Sequence, residues 1–226
     1  MLTLVLAMAL SSGVEVERVL ALVNNVPVLA SDVELAEVAA LVPREAGETD
    51  RAYAAVVLDA LVDLELRWQD LQVAGIAARS DANLDAAWKA TEARVGGAEA
   101  LREKLASLGF HEGPLRELVR HAAVVQAYVA ARFGPFVRPT QREVEAYWNT
   151  ELVPDLKRAG RPVPPLADLR PKVEAILRER KLTAEIERWT AELAKRGEVV
   201  RYRSGTGLPV APAAAPSPVA TAPPPR

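Results

Sequence analysis

The sequence predicts a mainly α-helical domain, a helical bundle whose two ends are closed by a small β-sheet. Amphipathic stretches with apolar residues at helical spacing, opened by capping residues and closed by Gly or Pro, fill most of residues 30 to 196. A short hairpin rich in Val and Leu precedes them, and one alternating strand follows. A lone strand cannot satisfy its own backbone, so the last strand is expected to pair with the first hairpin.

Arg18–Val23 and Val26–Ala30 read as the hairpin, because Asn24-Asn25 between them tolerates the positive backbone angles of a tight turn. Ser31, with Glu34 three residues on, reads as a capping box for a helix from Asp32 to about Val42. The strongest helical signal runs from Arg51 to Ala74, capped by Asp50 and stopped by Gly75, with Val57, Leu61, Leu64, Trp68 and Leu71 on one stripe. Ser80 or Asp81 is expected to cap a third helix to about Val95, broken at Gly96-Gly97, and a fourth covers Ala98 to Leu108. Pro114 suits the first turn of a fifth helix that carries Leu115, Leu118, Val119, Val125, Tyr128 and Val129 to Gly134.

Thr140 with Glu143 repeats the capping box and opens a helix to about Leu152. Prolines, Gly160 and charges then make residues 153–166 a linker. From Ala167 to Arg196 a long helix follows, with Pro171 tolerable in its first turn and Val173, Leu177, Leu182, Ile186, Trp189 and Leu193 forming its apolar face. Gly197 ends it, and Glu198 to Arg203 alternates as the closing strand.

The flanks differ from this body. Residues 1–13 form a signal-peptide-like segment: Leu2 to Leu10 is an apolar run closed by Ser11, Ser12 and Gly13, too short for the ~20 residues of a spanning helix. It lacks the basic residues that open such signals, so either the start lies upstream or the run is merely a frayed apolar N-terminus, with export the favoured expectation. Residues 14–203 are the domain. Residues 204–226, rich in Pro and Ala with almost no large apolar side chain, read as a disordered tail.

Composition removes several function classes. With 226 residues, 50% hydrophobic and 26% charged, the chain has globular composition, and ~100 to 200 residues per domain gives one domain with appendages. Its 28 basic and 30 acidic residues are interspersed, leaving no basic field for nucleic acid. No Cys and only two His give no thiolate site, thiol nucleophile or histidine cage. His111, before Gly-Pro at a helix entrance, suits a cap, and with His121 it forms no HExxH pair. Asp59, Asp63 and Glu65 fit the solvated side of the second helix and make no credible acid/base pair. Without a phosphate-cradling or dinucleotide glycine motif, no cofactor is expected.

The stretch Arg18-Val-Leu-Ala-Leu-Val-Asn-Asn-Val-Pro-Val-Leu-Ala-Ser-Asp-Val-Glu34 resembles the opening of the SurA-type periplasmic chaperones. Val57-Leu-Asp-Ala-Leu-Val-Asp63 leading to Ala74-Gly-Ile76 is similar to that family's helix with its Gly-Ile turn. Leu108-Gly-Phe110, Val137-Arg-Pro-Thr140 with Glu143-Val-Glu-Ala-Tyr147, and the return segment Leu169 to Tyr202 continue the likeness over roughly residues 16 to 203. Each motif is common; their order along the chain is the specific part. The family often inserts parvulin-type prolyl isomerase domains between the halves of its helical domain. Here the short linker cannot hold one, so isomerase activity is not carried over.

The resemblance implies an ATP-independent chaperone of the periplasm, not an enzyme, that binds unfolded or nascent exported polypeptides, above all those bound for the outer membrane. Passive association of that kind opposes aggregation by mass action and needs exposed apolar surface. Phe133, Phe136, Tyr147 and Trp148, around the Gly134-Pro135 break, are the expected peptide-binding residues, against the competing role of aromatics as core staples at helix junctions. Trp68, Trp88 and Trp189 sit among aliphatic neighbours at helical spacing and are expected in the core. Two rival readings are a remnant or accessory subunit of a peptidyl-prolyl cis-trans isomerase and a non-chaperone interaction module.

Overall fold

Asn24 and Asn25 sit in the left-handed region, at φ 49° and 69°, and fold the chain back on itself. They join β1 (Val19–Val23) to β2 (Val26–Leu29) as an antiparallel hairpin, with Val23 opposite Val26. The computed structural model describes residues 17–202 and 209–210. The signal-like segment 1–13 and the rest of the expected tail lie outside the described residues.

Helices fill the middle of the chain: α1 (Ala30–Val38), α2 (Asp50–Val73), α3 (Leu84–Arg94), α4 (Ala98–Ser107) and α5 (Glu112–Phe133). Then come α6 (Gln141–Tyr147), one wide π turn (Trp148–Leu152), α7 (Val153–Arg158) and α8 (Leu166–Arg196). Strand β3 (Val199–Tyr202) runs antiparallel to β1, with Val199 opposite Val23 and Arg201 opposite Ala21. The ends of the body therefore close as the sequence predicts. A two-residue strand β4 (Pro209–Val210), within the stretch expected to be tail, pairs outside β3 and gives the order β2-β1-β3-β4.

Local differences have physical causes. Ser31 does not cap α1. The helix leaves β2 directly at Ala30, and the Asp32 carboxylate accepts the Leu29 N–H at 2.8 Å. It stops at Val38, short of Val42, because Ala40 turns left-handed at φ 48°. The cap of α2 is Thr49, whose hydroxyl accepts the Ala52 N–H, and the cap of α3 is Asn83, which accepts from Ala86; Asp50, Ser80 and Asp81 are not caps. Thr140 and Glu143 do form the reciprocal box at α6. The linker is shorter than 153–166: α7 follows the π turn without leaving helical angles, with Pro154 in its first turn, so the non-helical connection is 159–165.

The core is built by α2. Val57, Leu61, Val62 and Leu66 are buried against Ala21, Val23 and Val28 of the hairpin and Leu193 of α8. Further along, Trp68 and Leu71 pack with Val124, Val125 and Val129 of α5. A second layer joins Leu35 of α1 and Trp88 of α3 to Leu101, Leu105 and Leu115. At ~1.5–3 kcal/mol per fully buried aliphatic side chain, these contacts hold sheet and helices together. Trp189 of α8 donates its indole N–H to Asp70 of α2 at 3.1 Å and fixes their mutual position. Among the described residues, no helix is long and apolar enough to cross a membrane.

Candidate functional site: an aromatic junction, an apolar groove and an acidic cleft

The four aromatics of the junction part company. Phe133 closes α5 and packs on Tyr128 and Trp189, with ring centres 6.4 and 6.0 Å away, so it staples α5 to α8. Phe136 projects from the turn after Gly134 and is 76% exposed. Tyr147 ends α6 half-buried, and the Arg180 guanidinium lies 4.8 Å over its ring while also pairing with Glu151 at 2.8 Å. Trp148 opens the π turn, half-buried. Among the described residues, no ring of the four stacks on another. Phe136 is thus the one of the four whose surface is mostly free to meet a partner.

A groove of about 500 Å³ lies where the start of β1 and the end of β3 meet α1 and the first half of α2. Its lining is Leu20, Val33, Ala54, Ala55, Leu58 and Tyr202, with Arg51 the charged member. The position follows from the closure of the sheet, because Tyr202 reaches it only when β3 lies beside β1. Sequence reasoning missed it. The groove draws on residues from 20 to 202, and no local pattern joins them.

A second cavity, of about 300 Å³, opens between β2, α1, α2 and α5. Val28, Leu61, Leu64 and Leu118 give it an apolar floor, Pro27 and Pro114 flank it, and Asp32, Glu65, Glu117 and His121 complete it. The expected solvated row on α2 is corrected here: Asp59 is exposed, but Asp63 and Glu65 are half-buried. Burial pushes the carboxyls of Asp32 and Glu65 up from their ordinary range, and each feels a carboxylate neighbour that raises it further.

His121 stacks on Trp68 with ring centres 3.9 Å apart and planes 16° from parallel. Burial and then the Arg120 charge push its pKa down to about 4, Glu117 opposing, so the imidazole is neutral at neutral pH. His111 caps α5 as expected, its Nδ1 accepting the Gly113 N–H at 3.1 Å. Among the described residues no three His, Asp or Glu side chains converge closely enough to hold a metal ion. No family model and no curated protein matches this chain.

Proposed function

We propose that this protein is an ATP-independent chaperone that holds unfolded or nascent exported polypeptides, outer-membrane proteins among them, without catalysing a reaction. The observation that carries the reading is apolar surface left accessible on a closed helical fold: the groove beside Tyr202 and the exposed ring of Phe136. A groove of about 500 Å³ accepts a few side chains of an extended segment and is too small for a folded domain. Preferential binding of the unfolded chain lowers its free concentration and slows aggregation without fuel.

The order of elements shared with the SurA-type chaperones supports the same reading, as does the pairing of β1 with β3 across the short 159–165 connection. A periplasmic location belongs to the proposal and rests on the apolar run in residues 1–13. The test is dilution of a urea-unfolded outer-membrane barrel with and without the protein, followed by light scattering. Suppression at near-stoichiometric ratios is expected. Accelerated isomerisation of a proline peptide in a parallel assay would replace this reading with that of an isomerase remnant, and saturable binding to one folded partner without suppression would replace it with that of an interaction module.

A further inference from the structure

The two outer edges of the sheet differ. In an antiparallel pair the backbone N–H and C=O groups of successive residues point to alternate sides of the strand. At the end of β2, Ala30 donates its N–H to the Arg18 carbonyl at 2.9 Å, on the β1 side, so Leu29 and Pro27 present theirs outward. Pro27 has no N–H, and the Leu29 N–H is held by Asp32 at 2.8 Å. This edge offers no donor to a further strand and is closed. Beyond β3 the edge is open. Glu198 directs both its backbone groups to Asn24: its carbonyl accepts the Asn24 N–H at 2.8 Å, and its N–H donates to the Asn24 side chain at 2.7 Å. Val200 and Tyr202 follow it toward β1, so Val199 and Arg201 face away.

β4 meets this edge with two residues, Val210 opposite Arg201 and Pro209 opposite Tyr202. Among the described residues no strand stands opposite Val199 on that side, and its N–H and C=O remain for another segment. The two faces beside the edge differ in chemistry. Tyr202 belongs to the wall of the apolar groove with Leu20, Val33, Ala54 and Leu58. Its neighbour Arg201 points to the opposite face, where it pairs with Asp59 of α2 at 2.9 Å. A strand laid along β3 therefore has its alternate positions beside an apolar wall and beside an ion pair. Alternating apolar and polar residues are the pattern of outer-membrane barrel strands.

We infer that the outer edge of β3 receives an extended, alternating strand of an unfolded client, which displaces β4, pairs with Val199 and Arg201, and sets its apolar residues on the Tyr202 side. β4 is itself an extended segment seated on part of that edge, so the edge already carries an occupant of this kind. The inference rests on the reading of the protein as a holder of unfolded chain and gives that activity its mode of capture. Backbone hydrogen bonds to the edge supply affinity for many sequences, and the groove supplies the preference for alternation.

The test reads the Val199 amide. A peptide of alternating valine and threonine with a lysine at each end is titrated into the full chain, and hydrogen exchange at Val199 is followed by NMR. Two further peptides are N-methylated, one at its threonines and one at its valines. With the valines on the Tyr202 side, the threonine N–H groups are the ones that face β3. The plain and valine-methylated peptides should therefore slow Val199 exchange about tenfold or more at saturation, and the threonine-methylated peptide should not. Val210→Pro, which removes the N–H that β4 offers Arg201, should raise peptide affinity about five- to tenfold. The peptide arms use the unsubstituted protein and do not depend on that variant. Val199 exchange unaltered by every peptide, or slowed equally by all three, would overturn the strand site, while suppression of aggregation by the same preparation would leave the chaperone reading standing. Protection blocked by methylated valines instead of threonines would overturn the side-chain placement. Slow exchange already present in the free protein would give the edge to the chain's own residues after Val210, or to a second copy where it grows with concentration, and would overturn the client strand. Unchanged affinity in Val210→Pro would overturn the displacement of β4. Protection of Val199 without suppression of aggregation would overturn an unfolded client as the source of the strand.

Discussion

Replacing Asn24 should loosen the junction where the two ends of the body meet. Its backbone N–H donates to the Glu198 carbonyl at 2.8 Å, and its side-chain oxygen accepts the Glu198 N–H at 2.7 Å. Its side-chain nitrogen donates to Gln69 at 2.8 Å, and Gln69 donates onward to the Val23 carbonyl at 3.0 Å. One exposed residue thus ties the hairpin, the end of α8 and α2. Asn24→Ala keeps the backbone bond but loses the side-chain ones, about 0.5–1 kcal/mol each at an exposed site. It also places Ala at φ 49°, where Asn is tolerated and Ala pays about 1 kcal/mol. The sum is a loss of about 2–3 kcal/mol, or a Tm lower by roughly 4–12 °C for a domain of this size. Asn24→Gly relieves the angle and should lose only about 1–2 kcal/mol.

Gly197 makes the argument sharper. A Cβ there would stand 2.7 Å from the Asn24 side-chain oxygen, so Gly197→Ala should destabilise the protein and become nearly neutral in the Asn24→Gly background. Urea melts of the original, Asn24→Gly, Gly197→Ala and the double variant measure the cycle, with Asn24→Ala melted as a fifth protein. Additive effects, or an Asn24→Ala variant within about 0.5 kcal/mol of the original, would refute the reasoning.

Stability should fall as pH drops from 6.5 towards 5, because His121 titrates at about 4 in the folded protein and near its ordinary value unfolded. The unfolded chain then binds the extra proton; full transfer would cost about 2 kcal/mol at pH 5, and partial exposure reduces this to about 1 kcal/mol. His121→Phe, which keeps a ring on Trp68, should flatten that slope in urea melts, while the raised carboxyls of Asp32 and Glu65 gain stability at lower pH and oppose the trend. Ala40→Gly should stabilise by about 0.5–1 kcal/mol, since the residue after α1 sits at φ 48°; a lowered denaturation midpoint would contradict this. Phe136→Ser should leave Tm nearly unchanged, its ring being mostly exposed, yet weaken suppression of client aggregation in light scattering; unaltered suppression would remove Phe136 from the binding surface.

Where one local chemistry decided the outcome, the sequence was a sufficient guide. Asn24-Asn25 admits a hairpin, and Thr140 with Glu143 admits a capped helix, and both form. Adjacent rivals blurred other boundaries: Thr49 outcompetes Asp50, and Asn83 outcompetes Ser80 and Asp81, because the register of each helix is set by the faces it buries. Pro154 read as a breaker, but helical angles run from the π turn into α7, and the chain stays helical to Arg158. Phe133 and Phe136 are three residues apart and equally apolar, and only the packing of α8 turns one into a staple and leaves the other exposed. The cleft was illegible for a related reason. Asp32, Glu65 and His121 lie on separate helices, and their meeting is a product of tertiary packing with no spacing to announce it.

The most direct measurement of the central proposal is the scattering of an unfolded outer-membrane barrel diluted into buffer containing the full chain without nucleotide. Scattering that drops steeply up to about one protein per client, and returns when apolar peptide competes, is the predicted result. Scattering unchanged at several-fold excess of a protein shown to be folded would contradict it.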